Sequence, residues 1–186
     1  MTNNTDNIYS IITMAEKILS DRFNSKIYVD NFKPLTEKGR RNLLLRCSTN
    51  YLFTNNLNTI ILKKIESQTW NSQSKDSWDM KRFFGDWAGL RFLSDISSYV
   101  PQLYGGNLDL GFILIEDLGS NHRSLKQPLF DEDFASGKKA LLEFASCLGK
   151  LQANTIRKLN TFNNILSSIH PDAVCFYRGF INMRRI

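Results

Sequence analysis

Histidine and cysteine are scarce in this chain. Its 186 residues hold two His (His122, His170) and three Cys (Cys47, Cys147, Cys175), with no C-x-x-C pair among them. A structural zinc site needs several such ligands at close spacing, so no metal centre is expected. An odd number of widely separated cysteines reads as reduced thiols, and the expected compartment is the cytoplasm. No run approaches the roughly 20 apolar residues of a membrane helix, and the opening MTNNTDNIYS has neither a basic n-region nor an apolar h-region. Membrane association is therefore not expected. Charge of one sign is not strongly in excess either. The net +6 is moderate, and its densest spots are Lys38–Arg41 and Arg184–Arg185. These basic residues are not interleaved with aromatics and match no nucleic-acid motif, so a nucleic-acid partner is not expected. Most of this charge reads as solvated surface, with weak support for a small anionic ligand.

What the chain does have is material for a core. Apolar residues make up 42%, including thirteen Phe and three Trp, enough for one medium domain or a small domain plus part of a second. Ile8, Ile11, Ile12, Ala15 and Leu19 fall on one face of a helical period, predicting a helix over 6–23 capped by Thr5 or Asp6. Three strands are expected next, at Lys26–Phe32, Asn42–Cys47 and Thr59–Ile65, the first two joined by a turn over Pro34–Arg41. Their short connections favour an antiparallel meander. Glu66–Trp78 is polar and reads as a loop. A helix over 79–98 is apolar on two sides (Met80, Phe83, Phe84, Trp87 and Leu90 on one arc, Phe92 and Ile96 on another), so two packing partners are expected. Gly85 and Gly89 inside it each cost about 1 kcal/mol against Ala, which suggests a close backbone approach or some other constraint. A polar connector follows over 120–133, then a strongly periodic helix over 134–158, a break over Asn160–Asn164, and a helix including Ile165–Ile169 that Pro171 stops. Strands mostly before helices give an α+β class, in two lobes.

The segment Val100–Gly119, VPQLYGGNLDLGFILIEDLG, is the most informative: a short strand, a glycine turn, and an apolar strand closing on Glu116, Asp117, Leu118 and Gly119. Alternation in the third strand puts Lys63 on the face of Ile61 and Ile65, and Lys64 on that of Ile60 and Leu62. A lysine on the inner face of a sheet needs an anionic partner. Taken alone, a strand-end lysine whose stem covers apolar surface while its ammonium reaches water is the simpler reading. Asp86, on the flank of the apolar arc of its helix, is the natural carboxylate to reach that lysine, although a solvated flank residue is again the simpler reading.

The pieces GRRNLLLRC, TIILKK, FFGDWAGLRFL, VPQLYGGNLDLGFILIEDLG and ALLEFASCLGKLQANT occur in an order and spacing that resembles the aminoglycoside phosphotransferase-like kinases, the group that includes choline-kinase-like proteins. The resemblance covers roughly residues 25–158. It implies a protein-kinase-like N-lobe, an antiparallel sheet with a crossing helix, over 25–118, preceded by a helix over 1–24 and followed over 119–186 by a hinge connector and the first helices of an incomplete helical C-lobe. It implies ATP as cofactor. Lys63 would hold the α- and β-phosphates, and Asp86 would fix that lysine where the family usually has Glu. Gly39, Arg40 and Asn42 would belong to the loop over the phosphates, with Arg41 adding charge. Glu116, Asp117 and Leu118 would form the hinge, with the backbone of Glu116 and Leu118 facing the adenine edge. Gln152 stands near a position where the family often has His.

The same resemblance marks what is missing. Phosphoryl transfer of this type needs an Asp for the acceptor hydroxyl, an Asn for metal and a second Asp on magnesium. His170-Pro171-Asp172 is followed by Tyr177 where that Asn is needed. No catalytic residue is therefore assigned, and magnesium is expected only if another chain supplies the C-lobe. The expectation is a phosphotransferase relative that binds nucleotide and is inactive alone, completed by a complementary C-lobe chain or by self-association through the uncovered face of the 134–158 helix. The alternative is a non-catalytic, kinase-like binding or regulatory module.

Overall fold

A computed structural model of the chain describes residues 4–37, 40–53, 56–66, 78–119, 124–130 and 133–174. It is an α+β molecule. The elements run α1 (Asn4–Phe23), β1 (Val29–Pro34), β2 (Asn42–Thr49), β3 (Thr59–Ile65), α2 (Trp78–Ile96), β4 (Leu103–Asn107), β5 (Phe112–Glu116), α3 (Lys126–Phe130), α4 (Phe134–Thr155) and α5 (Leu159–Ile169). The strands form one sheet in the order β1-β2-β3-β5-β4, and every neighbouring pair is antiparallel. No described helix is long and apolar enough to cross a membrane.

The period-2 pattern of the strands divides the core between two faces. Leu45, Cys47, Ile60, Leu62, Phe112 and Leu114 lie under α1, where Ile11, Ala15 and Leu19 bury the helical stripe expected from their spacing. Ile65, Leu103 and Ile113 lie on the opposite face with Met80, Phe83, Phe84 and Ala88 of α2 and Leu166 of α5. α2 is thus packed on two sides, against the sheet and against α5, with Phe92 and Phe162 in edge contact at 5.6 Å. The β3 alternation reads as expected, with Ile60 and Leu62 on one face and Ile65 on the other.

Three local expectations differ from the structure. The first strand begins at Val29 rather than Lys26, because Asn50 serves that stretch with its side chain: Oδ1 accepts from Tyr28 N–H at 2.8 Å and Nδ2 donates to Lys26 C=O at 3.1 Å, and the register slips between Val29 and Asn31. The expected break over Asn160–Asn164 is helix, since α5 starts at Leu159. Asparagine is a poor helix former, but Phe162, Ile165 and Leu166 form a stripe buried on α2, and tertiary burial outweighs a few tenths of a kcal/mol of propensity per residue. The connector after the last strand contains α3, a single turn that tolerates Pro128 because N–H groups of a first turn have no partner within the helix. For Gly89, expected to mark a close backbone approach or some other constraint, the first alternative drops out. A Cβ built there meets nothing within 4 Å, so close approach does not require the glycine.

Candidate functional site

The centre of β3 sets the geometry. Lys63 stands opposite Leu44 of β2 and Ile113 of β5, one row from Arg46, Ile61 and Ile115 on the same face. α2 crosses that face. Its buried side, Met80, Phe83, Phe84 and Ala88, fixes the rotation of the helix and leaves Asp86 on the flank. Asp86 Oδ2 meets Lys63 Nζ at 2.6 Å. The shorter acid therefore reaches the strand lysine directly. The lysine side chain is mostly buried and the aspartate nearly half exposed, so one side of the pair is open to solvent. A second tie to α2 comes from the turn before β2, where Arg41 Nε is 3.7 Å from Asp79 Oδ1.

The expected phosphate loop is only partly in view. Lys38 and Gly39 lie outside the described residues. Arg40 is exposed and faces Glu37 at 3.7 Å. Asn42 opens β2, paired with Ile65, and its carbonyl accepts from the Thr36 hydroxyl at 3.3 Å.

The segment over Glu116–Gly119, expected from the resemblance to be a hinge, is built of ties that sequence reading did not find. Glu116 N–H donates to the carbonyl of Gln102 at 2.8 Å, and Gln102 N–H donates back to Glu116 Oε2 at 3.0 Å. Asp117 is 2% exposed. Its Oδ1 accepts from Gly119 N–H at 2.9 Å and from Arg46 Nη2 at 3.1 Å, while Oδ2 accepts from the Thr59 hydroxyl at 2.8 Å and lies 2.7 Å from Arg46 Nε. Burial pushes this carboxyl up, but the bonds from Gly119, Thr59 and Arg46 outweigh it and hold the group below its ordinary value. Asp117 is thus occupied by the protein itself. Gly119 has φ +78°, in the left-handed region, and so completes a turn that other residues adopt only with strain. Between these fixed neighbours, Leu118 is exposed, and its backbone N–H and C=O make no hydrogen bond among the described residues.

Arg46 and Thr59 were not singled out from the sequence. The available signal was period 2: it places Arg46 on the face of Leu44 and Thr59 on that of Lys63, each one strand nearer the hinge than its position in the chain suggests. Arg46 within LLLRC is a charge in an apolar strand, and such a charge calls for a partner.

Away from this face, an apolar hollow of about 350 Å³ lies between α3 and α4, lined by Pro128, Leu129, Phe134 and Leu141 with Asp133 and Lys138 at its edge. It contains none of the assigned residues. Among the described residues no group of His, Cys, Asp and Glu is arranged to hold a metal ion. Cys47 is buried and unpaired, and burial pushes its thiol up to about 12, so it is an inert core residue. His170, which the HPD string brought to notice, caps the end of α5, tilts against the Phe84 ring at 5.5 Å and accepts at Nδ1 from Asp172 N–H at 3.2 Å.

No family model matches this chain, and no curated protein matches it either.

Proposed function

We propose that the chain is the nucleotide-holding part of an ATP-dependent small-molecule phosphotransferase of the aminoglycoside phosphotransferase-like type, its sheet and α2 corresponding to a kinase-like N-lobe. The observation that carries the reading is the 2.6 Å pair between Lys63 and Asp86. Kinases of this architecture hold the nucleotide phosphates with a lysine on the third strand, kept in place by an acid on the helix that follows. Here the strand lysine and the acid of the next helix to which the resemblance gave these roles meet. Leu118, two residues beyond β5, has a backbone donor and acceptor without a partner among the described residues, as an adenine edge needs.

In this reading the ammonium of Lys63 neutralises phosphate charge from the open side of the pair, and Asp86 keeps the lysine from turning into solvent. The residues described hold and orient a nucleotide. Attack on the γ-phosphate needs an acceptor-hydroxyl base and metal ligands, and the HPD string does not supply them, because Tyr177 stands at the metal-ligand position. Transfer therefore requires a complementary helical lobe. A purely binding or regulatory role has one observation in its favour, the exposed apolar face of α4 (Leu141, Phe144, Leu148), which suits docking to another chain.

The test is thermal unfolding with and without ATP. A ligand at 100 times its Kd adds about 2.7 kcal/mol to the folded state, so ATP should raise the midpoint by several degrees. No change in midpoint up to millimolar ATP contradicts the proposal.

A further inference from the structure

We propose that the buried Asp117 carboxylate is a positioning residue that locks the hinge, so that Arg46 and Thr59, on two strands away from the hinge, set the affinity for the purine. This rests on the nucleotide reading above and extends it to residues that make no direct contact with a nucleotide. The argument starts from which groups are committed. Glu116 is tied through its N–H and its carboxylate to Gln102, ahead of β4. Asp117 is tied to β2 through Arg46, to β3 through Thr59, and to the chain beyond it through Gly119. Leu118 stands between these ties with neither backbone group bonded among the described residues. A chain leaving a sheet is normally free to swing. Here the residue before Leu118 is fixed to two strands, and the residue after it is held at φ +78° by the same carboxylate. An added Cβ at Gly119 would also come within 3.3 Å of Leu57 Cδ1, which leaves the turn little slack.

A donor–acceptor pair held in one orientation binds a flat heterocycle without first losing the entropy of ordering a loop. The lock is itself internally consistent. Arg46 offers the planar fork that suits a carboxylate. Thr59 and the Gly119 amide fill the lone pairs that the guanidinium leaves, so the buried charge has its partners. In the bonds seen among the described residues, Lys63 pairs with Asp86 while Arg46 and Thr59 pair with Asp117. Base recognition and phosphate recognition are thus carried by two separate pairs, each linking the sheet to one acid.

That separation defines the experiment. Affinities of the full chain for ATP, adenosine and inorganic tripolyphosphate are measured for wild type, Asp117→Asn and Lys63→Ala. Asp117→Asn should weaken adenosine and ATP by about 10-fold and leave tripolyphosphate unchanged. Lys63→Ala should weaken tripolyphosphate and ATP and leave adenosine unchanged. Thr59→Val, which removes one hydrogen bond, should weaken adenosine by about 3-fold, and Thr59→Ser should restore it; this pair decides the matter if Asp117→Asn does not fold. If wild type binds the probes but the lock variants weaken adenosine and tripolyphosphate alike, or neither, the lock is overturned and the nucleotide reading stands. Wild type that binds none of the three overturns both.

Discussion

α1 and α4 are the two longest helices among the described residues, both amphipathic, and they end in opposite circumstances. Ile11, Ala15 and Leu19 of α1 are sealed against the sheet at 2% exposure or less. Leu141 and Phe144, at equivalent spacing on α4, are each 50% exposed, and Phe134 at its start is 84% exposed. Among the described residues the main contact of α4 is with α3, and two thin polar contacts lie near its far end, Asn154 to the Ile96 carbonyl at 3.4 Å and Lys150 to the Tyr99 hydroxyl at 3.4 Å. Periodicity therefore reports that a face is made to be covered, and says nothing about what covers it. In α1 the cover is local, a sheet that starts six residues later. In α4 it is not among the described residues.

The sharpest way to break the comparison is truncation at matched positions. Leu19→Ala should cost about 3 kcal/mol, because the side chain is fully enclosed and its loss leaves a cavity. Leu141→Ala should cost less than about 1 kcal/mol. Denaturant unfolding of the two variants measures this directly. Equal losses would mean that α4 is as well packed as α1.

Next in size is the bonded network around Asp117. Asp117→Asn should cost about 2 kcal/mol, since it removes the charge that Arg46 and Thr59 are arranged around. The same group predicts a pH dependence. Its folded pKa is lowered from 3.8, so its contribution is complete above about pH 4 and is lost as pH falls through the folded value. Wild type should lose stability in that acid range more steeply than Asp117→Asn, as read by unfolding at pH 2.5–6.

The smallest effects come from glycines. Gly89→Ala in α2 and Gly149→Ala in α4 should each stabilise by about 0.5–1 kcal/mol, because the new Cβ meets nothing within 4 Å in either place. Gly106→Ala should destabilise, because its Cβ would lie 2.6 Å from the Phe112 carbonyl oxygen. Thermal midpoints of the three variants distinguish a glycine held by packing from one that is not.

These contrasts also show what the sequence could disclose. The strands and the two-sided packing of α2 were legible, because period 2 and period 3.6 assign faces, whereas the meeting of residues 63 and 86 was expected only from the family resemblance, since periodicity alone favoured two solvated side chains. The start of β1 was not legible, because a side chain of Asn50 replaces part of a ladder, and such a bond is long-range. The first half of α5, over 159–164, was not, because its asparagines argue against a helix there that contact with α2 sustains, whereas Ile165–Ile169 was read as helix. The role of Asp117 was hidden for the same reason. Its partners lie 58 and 71 residues away in the chain, and a carboxylate turned inward looks in sequence like one turned outward.

The central claim is tested most directly by calorimetric titration of ATP into the wild-type chain and into Lys63→Ala. The account predicts saturable one-to-one binding to wild type and at least about 10-fold weaker binding to the variant, the loss of a charge-assisted contact to phosphate. Equal affinity in both proteins, or no binding to wild type, would contradict it.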